Sequence, residues 1–306
     1  MRSRGTVSLA VLPVLLVLLA LVAGCTSSSG AQSSGSDPSS AAPRTMGRYV
    51  ALGDSYTAGP LVPTTDLAGG CARSDHNYPH LVAAALDVHT LVDVSCSGAS
   101  TADLTEAQHP FQGSTVPPQL RAVDRRTTLV TLGIGGNDLD LFATLIGTCT
   151  RLRRSDPGGT PCRDYFAQHG PDLDRAFTTI ATNVTAAVRA VRHKAPDATV
   201  VLVGYLRLVP DRGTCVALPL ATGDYAEGRR ITRGLNAALE RAAKRTDVPF
   251  VDMYAASHGH DACSADPWVN GSVTDRAKAL AYHPFAAGMR AAARQVVAAV
   301  ERSRSS

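Results

Sequence analysis

Apolar residues along the chain fall into two kinds of run. Short continuous blocks stand at 48–52 (RYVAL), 89–94 (HTLVDV), 128–132 (TLVTL), 198–203 (ATVVLV) and 249–253 (PFVDM). Continuous apolar runs of this length predict strands buried on both faces. Between them, apolar positions recur at helical spacing over 78–86, 173–194, 225–245 and 284–300. Pro79 stands near the start of the first of these helices, where a proline is tolerated. Strands alternating with helices predict an α/β fold, a parallel sheet wrapped on both faces. The alternation spans residues 46–302, which read as one domain without internal repeats. Three of the five predicted strands end in glycine-rich polar turns. In open parallel sheets, ligands sit at the carboxyl ends of the strands, so those turns are the place to look for chemistry.

The longest apolar run, 9–21, lies ahead of this domain. Arg2 and Arg4 precede it, and the small residues Ala23 and Gly24 follow. That arrangement is a secretory signal. The ending Val22-Ala23-Gly24-Cys25 resembles the lipobox of bacterial lipoproteins. The resemblance implies cleavage after residue 24, lipidation of Cys25 and an extracellular protein anchored to the cell membrane. An ordinary signal with release of the chain is the alternative. Residues 26–45 hold eight Ser with Gly30, Gly35, Pro38 and Pro43. They read as a flexible linker with a reach of about 25 Å. The expected organisation is therefore signal 1–24, lipidated Cys and linker 25–45, and a folded domain 46–306.

Composition narrows the partners. With 44% hydrophobic and 18% charged residues, the chain is ordinary globular material and not a disordered one. The net charge of +4 is small and dispersed, which argues against nucleic acid. Without Arg2 and Arg4 the balance falls to 28 basic against 26 acidic residues. Of the seven cysteines, six remain once Cys25 is set aside: Cys71, Cys96, Cys149, Cys162, Cys215 and Cys263. An even number in an exported chain suits disulfides, but the spacing leaves fifteen pairings open. No Cys-x-x-Cys occurs, which argues against a zinc site.

The first turn is Gly53-Asp54-Ser55-Tyr56-Thr57-Ala58-Gly59. A serine between a strand and a helix start can cap the helix, or it can act as a nucleophile whose own N–H faces an oxyanion. Gly98 ends the second turn and lets a ligand approach the backbone. Asn137 ends the third, where its carboxamide can donate to an oxyanion. His283-Pro284 precedes the last helix. Asp54 and Asp138 read as turn-stabilising. His258, His260 and Asp261 would suit a metal only on a strand, and their surroundings read as a loop, so no metal is expected.

Ser, Gly, Asn and His in that order, each in a loop, resemble the SGNH or GDSL-type hydrolase family. The segments that carry the resemblance are GDSYTAG at 53–59, CSGAS at 96–100, GIGGND at 133–138 and HP at 283–284. Together with Asn77-Tyr78-Pro79 they are most similar to the secreted esterases and lipases of actinobacteria. The resemblance implies a three-layer α/β/α sandwich around a parallel five-stranded, flavodoxin-like sheet. It also implies a cofactor-free carboxylic ester hydrolase acting on a lipid or small acyl ester. Ser55 is the implied nucleophile and His283 the base. Ser55 N–H, Gly98 N–H and the Asn137 side chain are the implied oxyanion hole. The implied disulfides are Cys71–Cys96, Cys149–Cys162 and Cys215–Cys263.

One position departs from the family. Where an Asp normally stands three residues before the His, this chain has Leu280. The backbone carbonyl of Leu280 is expected to orient His283 instead, with Asp261 or Asp266 as a more distant alternative. The stretch 139–170 is expected to form a wall of the acyl site. A monomer is expected. Two other readings share these residues: an acyltransferase using the same site, and a non-catalytic binding lipoprotein.

Overall fold

The protein is described from a computed structural model covering residues 46–110 and 113–305. The predicted signal, Cys25 and the linker lie outside the described residues. The central sheet contains β1 (Arg48–Gly53), β2 (Thr90–Asp93), β3 (Thr127–Gly133), β4 (Thr199–Val203) and β5 (Phe250–Val251). All neighbours pair in parallel, in the order β2-β1-β3-β4-β5. This is the flavodoxin-like order, whose direction of winding reverses between β1 and β3. The two strands end level, with Gly53 opposite Gly133. Their carboxyl ends therefore frame the crevice that this topology creates.

The helices that matter for the site are α1 (Ser55–Ala58), α2 (Tyr78–Ala85), α3 (Pro161–His169), α4 (Leu173–Lys194), α5 (Tyr225–Thr246) and α6 (Ala286–Ser305). Helix α2 packs with α6, and α4 packs with α5, giving one helical layer on each face of the sheet. The interior strands β1, β3 and β4 are buried almost throughout, as their continuous apolar sequences require. Strand β2, at the edge, is half-buried along its whole length.

Two differences from the expected elements have local causes. The last strand is only Phe250–Val251, because the Asp252 side chain accepts from Ala255 N at 2.9 Å and starts the one-turn helix Met253–Ala256. A small antiparallel ribbon, Thr65–Asp66 with Arg73–Ser74, falls in a stretch with no strand pattern. Disulfides join Cys71 to Cys96, Cys149 to Cys162 and Cys215 to Cys263. The first ties the ribbon to the turn after β2.

Candidate active site

The site is assembled from turns that follow β1, β2 and β3, closed by the loop before α6. Strand β1 ends at Gly53, where no other residue fits. A Cβ there would lie 2.2 Å from Thr57 Oγ1 and 2.7 Å from the Gly133 carbonyl. This close approach lets Asp54 N donate to Gly133 O at 3.0 Å, so the chain turns at once into α1. Asp54 caps α1 by accepting from Tyr56 N at 2.8 Å. Gly59, at φ 72°, ends the helix after a single turn. Ser55 is thereby held, buried, in the first turn of α1. Among the described residues neither Ser55 Oγ nor His283 Nε2 makes a hydrogen bond, so both atoms stay free to react.

Asp54 carries more than the cap. Its second oxygen accepts from Tyr205 Oη at 2.5 Å, and Tyr205 Oη in turn accepts from Gly136 N at 2.8 Å. Burial raises the Asp54 carboxyl to about 7, against the lowering effect of these hydrogen bonds. Tyr205 thus fastens the turn after β1 to the turn after β3. Its position directly after the fourth strand, in Gly204-Tyr205, is the one signal of this role in the sequence.

The turns after β2 and β3 are clipped together. Asn137 Nδ2 donates to Ala99 O at 2.8 Å, which orients the carboxamide and leaves its other N–H unused. Asp138 accepts from Thr101 N at 2.8 Å and from Thr101 Oγ1 at 2.6 Å, and Asn183 adds a third bond at 3.2 Å. Asp138 is therefore a structural clamp, and Asp54 a cap, as turn-stabilising residues should be. Gly98 sits exposed at φ 82°, a conformation that favours glycine. Its N–H makes no hydrogen bond among the described residues.

The histidine loop corrects one expectation. His283 Nδ1 lies 2.7 Å from the carbonyl of Ala281, not of Leu280. The Leu280 carbonyl accepts instead from His283 N at 3.1 Å and from Asn270 Nδ2 at 3.2 Å, closing a tight turn. Tyr282, at φ 62°, swings the intervening peptides so that the Ala281 oxygen meets the ring. Neither distant acid is the partner. Asp261 accepts from Cys263 N at 2.9 Å, and Asp266 lies beside His260, with a closest approach of 3.4 Å between carboxylate and ring. His260 stacks on Trp268 at 4.0 Å, and His258 faces Asp211. These two histidines thus have separate partners.

Tyr56, next in the chain to Ser55, brings the serine and histidine loops together. Its ring lies 5.6 Å from that of His283, and its hydroxyl donates to Tyr282 O at 2.7 Å. Burial lowers His283 from 6.5 to about 4, partly opposed by the bond to Ala281 O. The ring is therefore neutral near neutral pH. With Nδ1–H donated to the carbonyl, Nε2 is left as the proton acceptor.

A buried serine at a helix start, a neutral histidine fixed in one tautomer, and unpaired N–H donors on adjacent turns define a serine ester hydrolase on a flavodoxin-like sheet. The comparisons with known proteins agree. Residues 51–291 match the GDSL-like lipase/acylhydrolase family, and the chain belongs to that family. It is 43% identical to Lipase 2 of Streptomyces coelicolor over 226 residues, 71% of this chain and 73% of that protein. The crystal structure of phospholipase A1 from Streptomyces albidoflavus superposes with a TM-score of 0.68 at 31% identity, covering 83% of this chain and 99% of that one. The extracellular lipase of Streptomyces rimosus gives 0.65 at 29% identity, covering 82% and 99%. The protein is a carboxylic ester hydrolase.

Proposed function

We propose that Ser55 and His283 form a two-residue catalytic pair for which the Ala281 carbonyl takes the place of a carboxylate. Ser55 Oγ attacks the ester carbonyl carbon while His283 Nε2 takes the hydroxyl proton. The developing oxyanion is received by Ser55 N–H, Gly98 N–H and Asn137 Nδ2. Collapse of the tetrahedral species breaks the bond to the leaving alcohol, which takes the proton from His283 Nε2. Water then attacks the acyl-enzyme with His283 again as base, releasing the carboxylic acid and restoring Ser55. The observation that carries this reading is the 2.7 Å contact from His283 Nδ1 to a backbone oxygen, on a buried ring beside Tyr56.

An acyl ester with an apolar chain suits the surroundings best. Phe142 packs edge-on against Tyr56 at 5.7 Å. Leu139, two residues after Asn137, is 47% exposed and held at φ 57°. A left-handed leucine costs about 1–2 kcal/mol, so this apolar side chain is displayed at the expense of stability. Both residues lie in the 139–170 stretch, which we place as the acyl wall, braced by Cys149–Cys162. Relatives named as lipases and a phospholipase A1 support lipid esters as the substrate class. Three disulfides and the N-terminal signal pattern support an extracellular enzyme, tethered to the membrane through Cys25.

The test is hydrolysis of p-nitrophenyl esters from acetate to palmitate, and of a diacyl phospholipid, by wild type and Ser55→Ala. Turnover that rises with chain length and vanishes in the variant is expected. Activity confined to acetate would remove the lipid-ester reading. Adding an acceptor alcohol and analysing products separates hydrolysis from acyl transfer.

A further inference from the structure

We infer that Gln108 is a positioning residue for the oxyanion hole, holding the peptide between Ser97 and Gly98 so that Gly98 N–H faces the reacting carbonyl. The inference rests on the proposed role of Gly98 and deepens it. Gln108 lies in the long excursion between β2 and β3, 11 residues beyond Ser97 and outside the motifs of the site. Its side chain is buried, 6% exposed, and its Nε2 donates to Ser97 O at 2.9 Å. The Ser97 carbonyl and the Gly98 N–H belong to one planar trans peptide and point in opposite directions. Fixing the carbonyl therefore fixes where the N–H points. A hydrogen bond at the carbonyl also polarises the unit and makes its N–H a stronger donor.

The turn needs this help. Glycine at φ 82° is free to rotate its peptide, and Gly98 itself is exposed. Ser97 N is held by Cys71 O at 3.0 Å, and Ala99 N by Cys96 O at 3.1 Å, but the peptide between them has no other restraint among the described residues. Gln108 is itself rigid. Its N–H donates to Val116 O at 3.0 Å and its carbonyl accepts from Val116 N at 2.9 Å.

The remaining half of the carboxamide separates a functional role from a structural one. Gln108 Oε1 is buried with no hydrogen-bond partner. Turning the amide over would set oxygen against the Ser97 oxygen, so the carbonyl dictates the orientation. A fold selected only for stability would place an apolar side chain here and avoid the unpaired acceptor. Gln119, from the same excursion, shows the contrast. It both donates to Gly53 O at 2.9 Å and accepts from Gly53 N at 2.8 Å, leaving nothing unpaired.

Gln108→Met keeps the shape and removes the donor, and Gln108→Glu keeps the shape and replaces the donor with an acceptor at neutral pH. The readouts are Tm, kcat, KM and affinity for an alkylboronic acid, whose serine adduct is a tetrahedral oxyanion. We expect kcat to fall about 10-fold in both, less than the 10²–10³ lost with a whole donor. KM should stay within about twofold, boronate affinity should fall in step with kcat, and Gln108→Met should melt no lower than wild type. Unchanged kcat and boronate affinity would overturn the inference. So would activity lost only in proportion to unfolded protein in both variants. Asn137→Ala reports on the hole itself. If boronate affinity survives there, the oxyanion-hole reading fails; if it falls there and not in Gln108→Met, only the role of Gln108 fails.

Discussion

A histidine without a carboxylate partner should titrate unusually low, and the acid limb of kcat/KM should show it. Burial brings His283 from 6.5 to about 4, with only the Ala281 carbonyl opposing the shift. At about 1.4 kcal/mol per pH unit, that is about 3 kcal/mol against the imidazolium. We expect kcat/KM for a soluble short-chain ester to stay level from about pH 8 to about pH 5 and to halve near pH 4. Asp54, raised to about 7, titrates within the same range and could imprint its own step. Asp54→Asn removes that step and leaves the low limb, if the limb belongs to His283. Stability gives a second measure with opposite signs. The lowered His283 contributes stability that is present above 6.5 and lost as pH falls through about 4. The raised Asp54 contributes stability that is present below 3.8 and lost as pH rises through about 7. The two offset each other in the wild type. Urea unfolding of Asp54→Asn should therefore lose about 3 kcal/mol between about pH 6.5 and 4, while His283→Gln should gain stability over that interval. An acid limb at or above 6.5 in Asp54→Asn would contradict a carbonyl-only partner, because it would require an acidic group beside the ring.

Three further outcomes follow from single contacts. Tyr205→Phe leaves buried Asp54 without its donor and should cost about 1–3 kcal/mol in urea unfolding, more at about pH 8 than at about pH 5, where the carboxyl is protonated. Equal losses at both values would contradict it. Leu139→Gly relieves the left-handed leucine and should raise stability by about 1 kcal/mol while flattening the preference for longer acyl chains. A higher Tm with unchanged chain-length preference would show that Leu139 does not touch substrate. Replacing Cys71 and Cys96 by Ala opens a 25-residue loop and should cost about 3 kcal/mol. It should also lower kcat, since Cys71 O holds the Ser97 N–H; stability lost with kcat intact would separate the disulfide from the site.

The layers and strand positions could be read from the sequence because the interior strands β1, β3 and β4 are buried on both faces and so appear as unbroken apolar runs. The fifth strand is shorter than its apolar block, since the cap by Asp252 that ends it is a side-chain event inside that block. Ser55, Gly98, Asn137 and His283 are weak signals one by one and become legible only together, through the order of their four segments and its resemblance to the GDSL-type family. What positions them did not. Tyr205 and Gln119 reach the turn after β1 across separations of 151 and 66 residues, and Gln108 reaches Ser97 from only 11 residues away. Nothing in the local pattern of any of them distinguishes it from an ordinary core or loop residue. The choice between the carbonyls of Leu280 and Ala281 turned on the positive φ of Tyr282, a conformation that a tyrosine does not advertise.

Every step of the proposed reaction passes through Ser55 as the nucleophile. The direct measurement is labelling with an alkyl fluorophosphonate, followed by intact-mass and peptide analysis beside ester hydrolysis. We expect one adduct per chain, carried by the peptide that contains Ser55, and loss of both the adduct and hydrolysis in Ser55→Ala. A stable adduct on another residue, or a Ser55→Ala variant that still turns over ester, would contradict it.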